Sequence, residues 1–196
     1  MKIILKNIKL LLISTLFGIL SISSYSALAL STDWVVNDKS KVRLISTKTK
    51  SDNSEEVILG LEYQLDTGWK TYWKSPGGGG FPQKMDWKNS VNIENIKIDW
   101  PRPKEFEILG LTSIGYEERV IFPLSVKLKN KNILTKFNLK INYLVCKDIC
   151  IPGNADLYFE LLPGEAQYTE FFYEIEKVKS SIPFQDINLS PINNLS

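Results

Sequence analysis

Apolar and polar residues alternate with a period of two along much of this chain. In KVRLISTK (Lys41–Lys48), Val42 and Leu44 stand between charged neighbours. EVILGLEYQL (Glu56–Leu65) repeats the pattern through Val57, Leu59, Leu61, Tyr63 and Leu65. RVIFPLSVKL (Arg119–Leu128) and LTKFNLKINYLV (Leu134–Val145) continue it, the second with Phe137, Leu139, Ile141 and Tyr143 on one face; DLYFELL (Asp156–Leu162) closes the series. Such alternation turns one face of a strand to a core and the other to water, and so predicts half-buried antiparallel strands. Asn130-Lys131-Asn132 separates two of them and reads as a hairpin turn. Several short strands joined by polar turns predict an all-β fold, an immunoglobulin-like antiparallel β-sandwich in preference to a barrel.

Two regions break the rhythm. Between Asp66 and Phe106 the chain is rich in Gly, Pro and Trp, and its periodicity is weak. Further on, EAQYTEFFYEIEKVKSSI spaces Phe171, Phe172, Ile175 and Val178 for one face of a short C-terminal helix. The polar tail from Pro183 to Ser196 carries two prolines and is expected to pack loosely. The expected organisation is a sandwich over residues 30–165 and a helix with a polar tail over 166–196, without internal repeats.

The first 29 residues stand apart. Lys2, Lys6 and Lys9 form a positive segment, Leu10–Ile22 is mostly apolar, and Ala27-Leu28-Ala29 puts small residues where a signal peptidase reads them. This is the layout of a cleaved secretory signal. Its apolar run is shorter than the roughly 20 residues of a spanning helix, so no stable membrane insertion is expected after cleavage. The whole chain carries 24 basic and 22 acidic residues; the first 29 hold three lysines and no acid, which leaves 21 against 22, a net of −1. A near-neutral chain without a basic block gives no ground for nucleic acid or an anionic membrane as partner.

Export matters because Cys146 and Cys150 are the only cysteines, three residues apart in YLVCKDICIPG (Tyr143–Gly153). An oxidising compartment permits a disulfide. A structural staple across so short a loop would stabilise the fold by only about 2 kcal/mol on the chain-entropy account. A close, exposed bridge suits a redox-active pair, since exposed bridges tend to be the labile ones. Lys147 would favour a Cys146 thiolate and Asp148 would oppose it. On local chemistry alone the structural and the redox readings stand side by side. Two thiolates would also suit Cu(I), but the chain has no histidine, and Met85 is its only methionine beyond the first residue. The lack of histidine excludes Cys–His nucleophilic hydrolysis and the usual zinc sets; no metal or cofactor is expected. Glu117 and Glu118 read as a solvated strand end.

GWKTYWKSPGGGGFPQKMDW (Gly68–Trp87) needs its own account. Gly77–Gly80 is not a phosphate-binding loop, because no Gly-Lys-Ser/Thr follows. The glycines read as a tight turn with positive φ beside bulky rings. Trp69, Tyr72, Trp73, Trp87 and Trp100 read as packing residues, with an exposed carbohydrate platform as the lesser alternative.

Taken in order, GWKTYWKSPGGGGFPQKMDW, IDWPRPKEF, IGYEERVIFPLSV and YLVCKDICIPG resemble the N-terminal periplasmic domain of the DsbD thiol:disulfide interchange proteins, in the variant of the copper-suppressor relatives called ScsB. The resemblance runs over about Asp33–Leu162. It implies an immunoglobulin-like sandwich in the periplasm of a Gram-negative bacterium. It also implies one reversible disulfide, Cys146–Cys150, which passes electrons from a thioredoxin-like donor to oxidised clients in a protein-disulfide reductase relay, cytochrome c maturation being one process such relays serve. By analogy Cys150 forms the mixed disulfide and Cys146 resolves it. A cap loop over the pair is expected within Ile108–Tyr116, with Leu109, Leu111 and Tyr116 as covering residues. The better-known DsbD domains have more residues between their cysteines, so loop geometry is not carried over. The sequence contains no membrane-embedded carrier or thioredoxin-like domain, so its reducing power is expected to come from another protein. A copper-handling protein using both thiolates, and a binding module with a purely structural bridge, are the competing readings.

Overall fold

A computed structural model describes residues 30–182; the expected signal and polar tail lie outside the described residues. Eleven strands form two antiparallel sheets. Sheet one contains β1 (Val35–Asn37), β2 (Ser40–Ser46), β3 (Glu56–Leu65), β9 (Arg119–Leu128) and β6 (Ile93–Ile98), in that order across the sheet. Sheet two runs β11 (Cys150–Leu161), β10 (Thr135–Cys146), β4 (Lys70–Gly77), β8 (Leu111–Glu117) and β7 (Lys104–Ile108), with β5 (Lys84–Asp86) also paired to β10. The described residues form an all-β immunoglobulin-like sandwich with one short helix, α1 (Phe172–Ser180).

The alternation seen in the sequence supplies the core between the sheets. Val42, Leu44, Leu59, Leu61, Tyr63, Phe122 and Leu124 from one sheet meet Phe137, Leu139, Ile141, Tyr143 and Val145 from the other. Tyr63 stands edge-on to both Phe122 and Tyr143, with ring centroids 5.7 and 5.0 Å apart. Trp69 is buried in this core, and Trp73, Trp87 and Trp100 pack against it.

The outer face of sheet one is also covered. Gly60 lets α1 approach: a Cβ there would lie 2.9 Å from Ile121, 3.0 Å from Ile45 and 3.2 Å from Ile175. Those isoleucines and Phe171 form a second, smaller core. Beside it Glu62, only 2% exposed, accepts from Arg43 Nε at 2.7 Å and Arg119 Nε at 2.6 Å, and Arg119 also pairs with Glu174 of α1. A buried carboxylate needs such partners, because desolvating an unpaired charge is costly.

The weakly periodic stretch 66–106 contains three strands, β4 to β6, too short or irregular for alternation to show, and the start of β7. Two local expectations are corrected. Asn130–Asn132 is not a hairpin turn: β9 and β10 lie in different sheets, so this segment crosses between them. It is held by Asn92, whose amide donates to Asn130 O at 2.8 Å and accepts from Asn130 N at 2.9 Å. Finally, the last strand starts at Cys150 rather than Asp156, so Ile151-Pro152-Gly153 is extended and not a turn.

Candidate redox site

β10 and β11 form one long hairpin whose register is unbroken from Thr135↔Leu161 to Cys146↔Cys150. The two cysteines are therefore the last facing pair, and Lys147-Asp148-Ile149 is the loop beyond them, closed by Lys147 N–H donating to Ile149 O at 2.9 Å. The sulfurs are joined in a disulfide. Its halves differ: Cys146 is 0% exposed, whereas Cys150 lies at the surface next to Ile149, which is 61% exposed.

What buries Cys146 follows from strand parity. Residues abreast in a sheet share a face. Val145, Thr71 and Tyr116 are in register across β10, β4 and β8, and Val145 and Tyr116 belong to the inter-sheet core. Cys146, Lys70 and Glu117, one step along, point to the outer face. There Cys146 packs in a small cluster with Tyr72 and Ile108, flanked by Phe106 and Leu144. The Tyr72 hydroxyl donates to Cys146 Sγ at 3.0 Å and lies 3.9 Å from Cys150 Sγ. Burial raises the pKa of this phenol above its ordinary value.

Over the cluster lies the glycine run. Gly77 and Gly80 have φ of +86° and +83°, the left-handed region that side chains disfavour. Gly78 N–H donates to Thr112 O at 2.8 Å, and a Cβ on Gly79 would lie 3.2 Å from Leu111. The reading of these glycines as a tight turn beside bulky rings agrees with the structure. The ring in question is Tyr72.

The expected cap region is a hairpin. Ile108 faces Leu111, and Leu109 and Gly110 between them have φ of 52° and 76°. Two consecutive left-handed residues make the tight type I′ connection. Leu109 and Leu111 stand at its tip, 65% and 48% exposed. Tyr116 is a correction: its ring is edge-on to Phe122 at 5.1 Å and its hydroxyl donates to Pro101 O at 2.9 Å, so it faces the core and cannot cover the disulfide. The side chains that do pack on Cys146 are Tyr72 and Ile108. On sequence Tyr72 counts only among the packing residues, and Ile108 is not singled out; alternation along Lys104–Ile108 is the signal that would have put Ile108 on one face with Phe106.

Lysines flank the site. Lys70 sits abreast of Cys146, its Nζ donating to Gly68 O at 3.1 Å. Lys104 binds Glu117 at 2.6 Å, which holds that carboxyl below its ordinary pKa. The Lys147 side chain passes over the Gly68 turn, its Cε 3.2 Å from where a Cβ would stand. Among the described residues no group of three or more His, Cys, Asp or Glu side chains gathers in a geometry for a metal ion.

The site is a disulfide closing the end of a long hairpin, one half buried and the other at the surface. Residues 41–162, more than half of the chain, match the family model described as "Thiol:disulfide interchange protein DsbD, N-terminal". The chain belongs to that family. Among solved structures, it is similar to the N-terminal periplasmic domain of ScsB from Proteus mirabilis, with 28% identity and a TM-score of 0.65 over 80% of this chain and 60% of that one. The chain thus spans less than two thirds of that relative. The reduced N-terminal domain of Neisseria meningitidis DsbD aligns at 12% identity and a TM-score of 0.36, over 66% of this chain and 90% of that one. No curated protein matches. The family and the ScsB domain support thiol:disulfide exchange as the chain's general chemistry. No helix among the described residues is long and apolar enough to cross a membrane.

Proposed function

We propose that this protein is a periplasmic thiol:disulfide exchange module. It takes two electrons from a thioredoxin-like donor through Cys146–Cys150 and delivers them to oxidised client proteins. The observation that carries this reading is the asymmetry of the pair: Cys150 is open to a partner and Cys146 is not. Thiolate attack needs access to sulfur. The donor's thiolate therefore attacks Cys150 Sγ, the S–S bond breaks, and Cys146 leaves as the thiolate. The donor's second thiolate then attacks the donor sulfur of the mixed disulfide and releases Cys150. Two electrons have now passed to the pair, and the two thiolates take up two protons from water. In the second half of the cycle Cys150 returns its proton to water and, as the thiolate, attacks a client disulfide, expelling one client sulfur. Cys146, also deprotonated, then attacks Cys150 Sγ, which re-forms the bridge and frees the second client sulfur. A structural purpose for the bridge is weakly supported, since the hairpin it closes is already held by backbone pairing along all of β10. The periplasmic setting is supported by the signal-like N-terminus and by the ScsB relative.

The test is the reduction potential of the pair, from thiol alkylation in glutathione or dithiothreitol buffers. A value between about −270 and about −180 mV, with tryptophan emission unchanged in both states, is the expected result. A value below about −300 mV would identify a structural bridge. A Cys146→Ser variant should then trap thioredoxin-like partners on Cys150.

A further inference from the structure

The Tyr72 hydroxyl is placed against the one sulfur that a partner cannot reach. We infer that Tyr72 is a catalytic residue of the exchange, donating a hydrogen bond to the Cys146 thiolate as it departs. We also infer that Gly80 is the positioning residue that holds the phenol there. The inference rests on the exchange reading above.

During exchange, negative charge develops on the buried half of the pair. When a partner thiolate attacks Cys150 Sγ, the electron pair of the broken S–S bond stays on Cys146 Sγ. That negative sulfur forms in a site that is 0% exposed, without water to solvate it. Burying an unpartnered charge is costly, and disulfide exchange is slower the poorer its leaving thiolate. The Tyr72 O–H already points at this sulfur from 3.0 Å. Its proton stays on the phenol oxygen, because burial makes the phenol harder to ionise. The donor therefore stabilises the thiolate without being consumed, and the same contact serves in reverse when Cys146 closes the bridge again. A disulfide sulfur is a weak acceptor, so the hydroxyl gains most when the bond opens. A phenylalanine would fill the same space in the resting domain.

The glycine run explains why the phenol cannot swing away. A Cβ on Gly80 would stand 2.1 Å from Cζ of Tyr72 and 2.4 Å from Cε1 and Cε2, so the bare backbone lies directly against the hydroxyl-bearing end of the ring. Any side chain there would displace the ring or the loop. The other end of the run is tied to the β7–β8 hairpin through Gly78 N–H and Thr112 O, and Leu111 packs beside Gly79. The ring is thus confined between the sheet that carries it and the glycine backbone above it.

The experiment compares the purified protein with Tyr72→Phe and Gly80→Ala. It measures the rate of reduction by excess dithiothreitol and the pKa of the Cys146 thiol in the reduced protein, from alkylation against pH resolved by peptide mass. Tyr72→Phe should slow reduction about tenfold and raise the Cys146 pKa by about one unit, the scale of one hydrogen bond to a charged group. Gly80→Ala keeps the hydroxyl but displaces it, and should shift both readouts in the same direction. It also serves as the independent variant if Tyr72→Phe does not fold. Loss of packing alone would not raise the thiol pKa. A wild-type disulfide that exchanges while folded, with rate and thiol pKa unchanged in the variants, would overturn this inference alone. A wild-type disulfide that opens only on unfolding would overturn the exchange reading as well.

Discussion

Reduction of Cys146–Cys150 should leave the sandwich folded and cost it little. The perturbation is the opening of one bond at the end of a hairpin whose register runs the length of β10. Phe137, Leu139, Ile141, Tyr143 and Val145 are held in the inter-sheet core by packing rather than by the bond, and should keep their places when it opens. What is lost is the restriction on the unfolded chain. For a loop this short the chain-entropy account gives about 2 kcal/mol, against a total of about 5–15 kcal/mol for a domain. With a urea m-value of about 2 kcal/mol/M, the midpoint should fall by about 1 M. The assay is tryptophan emission against urea, with and without dithiothreitol; the chain has five tryptophans, one of them, Trp69, buried beside β4. The m-value should stay constant, because the same surface is exposed on unfolding. Unfolding on reduction in the absence of urea, or a midpoint loss above about 2.5 M, would refute the reasoning and make the bridge a carrier of the fold.

Two further outcomes follow from the helix side. Ile175→Ala removes a fully buried side chain from the small core under α1 and should cost about 3 kcal/mol in urea unfolding, with the disulfide reduction rate unchanged because α1 covers the opposite sheet. Arg119 holds the Glu174 carboxyl below its ordinary value near 4.5 by hydrogen bonding. The pair therefore stabilises the fold above that value and loses its effect as pH falls through the depressed pKa, so thermal unfolding should show an acid-side decline below about pH 4 that is smaller in Glu174→Gln.

Period-two alternation is enough, by itself, for half-buried strands and an all-β fold, whereas the closing of the strands into two packed sheets is a tertiary outcome. Alternating Phe137, Leu139, Ile141 and Tyr143 can bury one face only as a strand, and helical spacing does the same for Ile175 and Val178. The glycines beside bulky rings are legible too, because consecutive glycines after a proline favour backbone that other residues avoid. Alternation fails where pairing is short and bulged, as in β4, whose register with β8 shifts between Tyr72 and Gly77. Likewise, Asn130–Asn132 looks like a hairpin turn because a polar break does not say which sheet the next strand joins.

The cysteines themselves, their close spacing and their family pattern were set by sequence alone. Only the tertiary structure decided that they are unequal. Cys146 and Tyr72 are far apart along the chain and meet because β4 pairs with the end of β10. Whether Tyr116 or Ile108 faces the disulfide depended on strand parity within a paired sheet: one residue's shift exchanges core for outer face. Local pattern carries which residues are strand and which are turn. The register between distant strands, a product of packing over the whole sandwich, carries which side chains surround the sulfur.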